Sequence, residues 1–309
     1  FRKENKSVIF ISHDLDEIME VCDTLTVLRD GKIIRTFEKA EFEAGAIRAS
    51  MIGRELQGDY YRSDFQASSQ PEVALDVRNL VYADRLKGIS FQVHKGEIVG
   101  IGGLAHCGMH SLGKVCFGAL KPEEGSVTVE DGTIIDSPAI AMKKRVGYVS
   151  KDRDVESLCL NASIEDNISI AGMSEFAINN FLILKNREKK YVNHQIEELS
   201  IKCAGRDQSV SQLSGGNKQK VVFGKWIGCG SEILILDCPT RGVDIGVKQA
   251  MYQLMVRLKN EGKSILMISE ELPELIGMSD RILIMKNGEV SAEFERSETL
   301  SDAQIIEYM

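Results

Sequence analysis

The sequence predicts an α/β fold with buried parallel strands and a helical insertion, and three observations carry that prediction. Two short apolar runs, Ile233-Leu234-Ile235-Leu236 and Ile265-Leu266-Met267-Ile268, are separated by a helical segment, the order expected of parallel strands joined by a crossover. Glu97 to Gly102 reads as a strand running into a Gly-bearing loop and then a helix. A long-range repeat ties the beginning of the chain to its end.

The repeat aligns Lys6-Ser7-Val8-Ile9-Phe10-Ile11-Ser12-His13-Asp14-Leu15 with Lys263-Ser264-Ile265-Leu266-Met267-Ile268-Ser269-Glu270-Glu271-Leu272, an offset of 257 without a gap. Glu17 then falls on Glu274, Asp23 on Asp280, and Val27-Leu28-Arg29-Asp30-Gly31-Lys32 on Ile284-Met285-Lys286-Asn287-Gly288-Glu289. Each copy reads as a buried strand, an amphipathic helix, a second strand and a tight Asn/Asp-Gly turn. One repeat unit is as long as a whole α/β domain. The expected organisation is therefore the last part of a first domain over residues 1–57, a linker over 58–71 and a complete second copy over 72–309. Phe1 stands where Met would begin a natural chain, so an extension toward the N-terminus is expected. Within the second copy, Gly125 to Ile135 has a hairpin pattern with an Asp131-Gly132 turn, and Asn161 to Ser211 is mostly helical by pattern.

Composition narrows the function classes. With 43% hydrophobic and 27% charged residues over 309 positions, the chain has the make-up of an ordinary folded protein, long enough to bury a core. A net charge of -8, from 38 basic and 46 acidic residues, supplies no overall positive field for nucleic acid or an anionic membrane surface. No run of about 18 apolar residues and no signal peptide is found, so neither a membrane span nor a route out of the cytoplasm is expected. Seven scattered Cys suit free thiols in a reducing compartment.

Chemistry concentrates in two places. Leu213-Ser214-Gly215-Gly216-Asn217-Lys218-Gln219-Lys220 precedes the helical pattern Val221 to Ile227. Two glycines admit an anion close to the backbone, Ser214 offers a hydroxyl, and a helix start presents unpaired N–H groups with a positive dipole end. The segment reads as a phosphate clamp, with a plain Gly-rich helix cap as the alternative. Further on, an apolar strand ends in Asp237, followed by Cys238-Pro239-Thr240-Arg241-Gly242-Val243-Asp244. A carboxylate at that end of a central parallel strand is a magnesium-nucleotide ligand in P-loop proteins; otherwise Asp237 caps the next helix.

These residues resemble the signature, Walker B and D-loop segments of ATP-binding cassette ATPases. Leu-Ser-Gly-Gly-Asn paired with Pro-Thr-Arg-Gly-Val-Asp is most similar to the tandem-cassette ATPases of bacterial monosaccharide importers, of the ribose, galactose and xylose type. The resemblance covers nearly the whole chain. It implies a P-loop NTPase-like ABC cassette with an antiparallel β subdomain and a helical insertion. It also implies two cassettes in a head-to-tail sandwich, each ATP site combining the phosphate loop of one with the signature of the other.

The second cassette's phosphate loop departs from that pattern. Gly103-Leu104-Ala105-His106-Cys107-Gly108-Met109-His110 keeps Gly103 and Gly108 of G-x-x-x-x-G-K-[ST], as nucleotide-binding positions. Met109, however, stands where Lys should reach the β/γ-phosphates, and His110 where Ser/Thr should hold Mg²⁺. Lys114 lies more than a turn further along. Cys238 occupies the place of the family's catalytic Glu, Glu270 that of the switch His, and Lys151 that of the Gln-loop residue. The parts supplied to the other composite site are intact: His13 as the catalytic switch, the nucleotide-binding clamp Ser214, Gly215, Gly216 and Asn217, and Asp244. The expectation is one hydrolytic site that uses this cassette's signature, and one degenerate site at which Asp237 is the remaining Mg²⁺ ligand.

Three further groups have weaker readings. His106, Cys107 and His110 resemble a zinc cluster without a fourth ligand, against a drifted phosphate loop. Tyr82 is either an adenine-stacking aromatic or a half-buried strand residue. Phe223 and Trp226 read as core.

The resemblance implies an ATPase that uses ATP and Mg²⁺, drives monosaccharide uptake with membrane-spanning permease subunits and, indirectly, a sugar-binding protein, and lies on the cytoplasmic face of the bacterial plasma membrane. No nucleic-acid partner is expected. The alternatives are a non-hydrolysing nucleotide-sensing or scaffolding subunit, and a soluble tandem cassette acting on ribosomes or DNA, against which stand the acidic balance and Pro-Thr-Arg-Gly-Val-Asp.

Overall fold

The computed structural model describes residues 4, 6–12, 15–29, 31–52, 60–178 and 182–309. They fall into two compact units, Phe1–Tyr60 with Val243–Ala250, and Tyr61–Gly242 with Met251–Met309.

In the first unit, helix α1 (Leu15–Val21) leads into the antiparallel hairpin β1 (Thr24–Arg29) and β2 (Lys32–Glu38), followed by helix α2 (Ala44–Ile52). Leu15, Val27, Phe37 and Ile47 form its small core. The apolar run predicted as a strand at 6–11 is not one. Residues 6–12 carry no regular structure, and Ile9 and Ile11 are 91% and 92% exposed. A strand exists only by its ladder, and among the described residues this run pairs with none.

The second unit begins with a three-stranded antiparallel sheet, in order β4-β3-β6, from β3 (Val73–Tyr82), β4 (Leu86–His94) and β6 (Glu124–Val129). Between its strands the chain runs through β5 (Ile98–Gly103) and helix α3 (Met109–Cys116). After helix α4 (Pro138–Lys143) comes β7 (Val146–Val149). A helical layer follows: α5 (Ile164–Ser169), α6 (Met173–Phe176), the two-residue strands β8 (Ala177–Ile178) and β9 (Leu182–Ile183), α7 (Lys185–Glu198) and α8 (Gly215–Gly228). Ser163 caps α5 by accepting the Asp166 N–H, a capping box that fixes where the helix begins. Helix α8 starts at Gly215 rather than near Val221, because the Ser214 side chain accepts the Asn217 N–H as its cap.

The remaining elements are β10 (Ile233–Asp237), α9 (Ile245–Asn260), β11 (Ser264–Ile268), α10 (Leu272–Met278), β12 (Arg281–Lys286), β13 (Glu289–Glu295) and α11 (Asp302–Ile306). They complete a six-stranded sheet in order β13-β12-β5-β11-β10-β7, parallel except for β13. Every residue of β5, β7, β10 and β11 is buried, as strands covered on both faces require. This is an α/β fold with an antiparallel β subdomain and a helical insertion, as expected.

The repeat of the sequence reappears in the backbone. At the offset of 257, α1, β1 and β2 coincide end to end with α10, β12 and β13, and a register shift falls at Val27/Leu28 and at Ile284/Met285. A buried charge cluster holds the start of the second unit: Asp280 receives Arg62 at 3.0 Å, Lys259 at 2.9 Å and the Ile98 N–H at 2.8 Å. With both cations and a backbone donor in contact, the buried carboxylate is compensated.

Candidate nucleotide site

Strand β5 delivers the Gly-bearing loop to the C-terminal edge of the parallel sheet, and α3 carries the chain away from it over β5, β10 and β11. That edge is where open α/β sheets place ligands. The loop's glycines answer to steric demand. Gly108 has φ +104°, and a Cβ there would strike the Arg85 carbonyl; Gly103 has φ +158°, and a Cβ would strike the Met285 carbonyl. The loop backbone thus keeps its glycine turns, and Met109 and His110 follow Gly108 at the start of α3. Met109 is 1% exposed, turned into the protein as an apolar residue. Lys114 pairs with Glu156 at 2.6 Å.

Three of the substituted positions, His110, Lys151 and Glu270, meet one another and Asp237. His110 Nδ1 lies 2.7 Å from Asp237 Oδ1, and Tyr148 donates to Asp237 Oδ2 at 3.2 Å. With the ring proton on Nδ1 facing the carboxylate, Nε2 accepts from Lys151 Nζ at 3.1 Å. Lys151 also donates to Glu270 at 2.7 Å. That hydrogen bond, with the Lys151 charge, holds the Glu270 carboxyl below its ordinary range despite partial burial. Cys238 stands beside this chain of contacts in a left-handed conformation, φ +49°, its N–H donating to the Ile268 carbonyl at 2.8 Å. Burial first, and then the Asp237 and Glu270 carboxylates, push the Cys238 thiol up, so at neutral pH it is no base.

Asp237, expected as a magnesium ligand, therefore spends both oxygens on His110 and Tyr148. Mg²⁺ demands oxygen ligands in near-octahedral geometry; an imidazole, a thiol and an ammonium do not fit it. The cluster His106, Cys107 and His110 is not assembled either. Cys107 Sγ lies under Gly103, and the grouping of possible ligands among the described residues is His110, Asp237 and Cys238.

The clamp residues are arranged differently. Ser214 Oγ accepts from the Asn217 side-chain amide at 2.9 Å, and Asn217 Oδ1 accepts the Lys202 N–H at 2.8 Å. Gly215 and Gly216 occupy the first turn of α8, where helix geometry leaves N–H groups without a carbonyl four residues back. Arg153 runs alongside. Its guanidinium donates to the Arg241 carbonyl at 2.6 Å and the Gly242 carbonyl at 3.3 Å, and a Cβ on Gly215 would sit 3.0 Å from it. Asp244 Oδ1 accepts the Val247 N–H at 3.0 Å at the start of α9. His13 lies outside the described residues. Tyr82 ends β3, partly exposed, while Phe223 and Trp226 are buried as expected. Tyr148 and Arg153 had no assigned role in the sequence. Nothing in a strand tyrosine signals a carboxylate 89 positions away.

Comparison with known proteins follows the same lines. A family model described as ABC transporter matches residues 86–241, about half of the chain. The chain is 38% identical over 308 residues to the ribose import ATP-binding protein RbsA of Clostridium tetani, covering 99% of this chain and 60% of that protein. With the protein of the same name from Streptococcus agalactiae it shares 40% identity over 298 residues, 96% of this chain and 60% of the other. The chain thus spans less than two thirds of the length of these relatives. A crystal structure of an ATP-binding cassette of an ABC transporter in its ADP conformation superposes with a TM-score of 0.63 at 24% identity, over 76% of this chain and 98% of that one, and so shares the fold.

Proposed function

Since this chain belongs to the ABC transporter family, we propose that it is part of the ATPase of a sugar importer, and that its cassette lends a signature to another cassette's ATP site while its own phosphate loop stays out of hydrolysis. The observation that carries this reading is the closed contact chain Asp237–His110–Lys151–Glu270, set against the preserved Ser214 cap at the start of α8. The relatives named for ribose import support sugar as the cargo, and a pentose as its class.

In this reading residues 1–57 end a first cassette, 58–71 link it, and 72–309 form the second. ATP lies between the first cassette's phosphate loop and the clamp Ser214, Gly215, Gly216 and Asn217, with Asp244 nearby and His13 reaching the γ-phosphate from the first cassette. The first-turn N–H groups of α8 and the Ser214 hydroxyl stabilise negative charge on the γ-phosphate, because helix dipole and donors both face it. Mg²⁺ bound with ATP at that site neutralises phosphate charge. Closure on ATP and reopening on hydrolysis are passed through the helical insertion to membrane-spanning permease subunits, to which a sugar-binding protein delivers the cargo. The subunit would sit peripherally on the cytoplasmic face of the plasma membrane, and among its described residues no helix is long and apolar enough to cross a membrane.

The closed contact chain also suits a non-hydrolysing, nucleotide-sensing subunit, and one experiment separates the readings. In the complete subunit assembled with its permease, Ser214→Arg should lower ATP hydrolysis by roughly 100-fold or more, as loss of a charge-stabilising donor does. Glu270→Ala should change it less than about twofold, since Glu270 touches no reacting group. A complete subunit without turnover favours the sensing role, and full turnover in Ser214→Arg contradicts the importer assignment.

A further inference from the structure

The position that magnesium would take in this cassette has exchanged hard oxygen donors for nitrogen and sulfur. We propose that His110, Asp237 and Cys238 form a binding site for a first-row transition-metal dication of the Zn²⁺ type. The proposal stands on the donor set and its geometry, independent of whether the cassette pair hydrolyses ATP.

One ligand atom from each of the three residues lies within 4.8 Å of the others. A tetrahedral zinc site has ligands at about 2.0 to 2.3 Å from the metal, so its donor atoms stand roughly 3.3 to 3.8 Å apart. Edges to Cys238 need contract by at most about an ångström and the His110–Asp237 edge, now 2.7 Å, must open by about half as much, both within reach of side-chain torsions. Mixed imidazole, carboxylate and thiolate ligation selects Zn²⁺ or Co²⁺ over Mg²⁺, which avoids nitrogen and sulfur.

The surroundings already supply the outer contacts of such a site. Tyr148 holds Asp237 Oδ2, while Oδ1, now in contact with His110 Nδ1, exchanges that contact for the metal on ligation. When Nδ1 ligates the metal, its proton moves to Nε2, where the Glu270 carboxylate is 3.5 Å away. A ligating histidine that donates its other N–H to a carboxylate is the usual support for a metal site. Lys151 keeps its ion pair with Glu270 as it gives up His110. Ligation releases one proton from Cys238 Sγ, and thiolate, carboxylate and dication together are neutral, which offsets the cost of burial. Three protein ligands leave a fourth position for water.

Cobalt is the probe. The reduced, metal-free chain titrated with Co²⁺ should develop a thiolate-to-cobalt charge-transfer band and the strong visible bands of four-coordinate Co²⁺, both displaced by Zn²⁺ and unaffected by excess Mg²⁺. Cys238→Ser should abolish the charge-transfer band, Cys107→Ser should keep it, and Glu270→Gln should weaken affinity by about tenfold, the effect of losing an outer contact. Should Cys238→Ser fail to fold, X-ray absorption on the zinc-loaded unaltered chain decides: one sulfur at about 2.3 Å with nitrogen and oxygen neighbours supports the site. A shell without sulfur, a shell with two or more sulfurs, or a cobalt spectrum that survives Cys238→Ser overturns it.

Discussion

His110 Nδ1 meets Asp237 Oδ1 at 2.7 Å across the edge of the parallel sheet, 127 positions apart in sequence. An imidazole from the start of α3 thus stands on the strand-end carboxylate of β10, and Lys151 and Glu270 continue the contact on its far side. On the reading proposed above, these side chains fill the cassette's own nucleotide pocket.

Reopening that pocket should be possible by substitution. Met109→Lys combined with His110→Thr restores a phosphate-directed cation and a hydroxyl. Each charged hydrogen bond is worth about 1.5 to 3 kcal/mol, so magnesium-dependent ATP affinity should rise by about tenfold or more. Calorimetric titration of the double variant against the parent chain checks it; equal affinities would mean that these two positions do not limit binding.

Tyr148→Phe removes the donor to a buried carboxylate and leaves the ring in place, where it stacks on Phe117 at 5.4 Å. The cost should be about 1 to 3 kcal/mol, the penalty for an acceptor left with one partner fewer. Urea denaturation should show a lower midpoint with an unchanged slope.

Two glycines with positive φ separate strain from collision. Gly132 has φ +76° and open space around its missing Cβ, so Gly132→Ala should cost only the left-handed penalty, about 1 kcal/mol. Gly108, at φ +104°, adds a collision with the Arg85 carbonyl, and Gly108→Ala should cost about 3 kcal/mol. Thermal melts of both variants test the ordering.

Lys225 donates to the Ser157 carbonyl at 2.6 Å beside the Trp226 ring, and burial pulls its ammonium down from 10.5 to about 8. A cation whose folded pKa is depressed disfavours the native state while protonated. Between about pH 8 and 10.5 the unfolded chain binds more protons than the folded one, so this group raises stability as pH rises through that window. Lys225→Met should remove the rise, and comparison of urea midpoints for both chains at pH 7 and pH 10 measures it.

Much of this molecule can be read from sequence because its signals are local. The strands at 233–237 and 264–268 are apolar runs of β-branched and long aliphatic residues, and the repeat places β1 and β2 on β12 and β13 residue for residue. The start of the signature helix is not legible from propensity, since Ser214 caps it upstream of two glycines, poor helix formers. The run at 6–12 has a strand's composition but no ladder, and a ladder is a property of the neighbours rather than of the segment. At the site, substitution of Met109, His110, Lys151, Cys238 and Glu270 was visible position by position. That His110, Lys151 and Glu270 then pair with Asp237 and each other was not, because their mutual approach depends on four separate elements meeting at one sheet edge.

Titration calorimetry of this chain with ATP, in Mg²⁺ and then in excess chelator, tests most directly whether its own pocket is shut. A contact chain that already occupies Asp237 and His110 predicts the same weak heats in both conditions. Saturable binding that needs Mg²⁺ and is lost in Met109→Glu would contradict it.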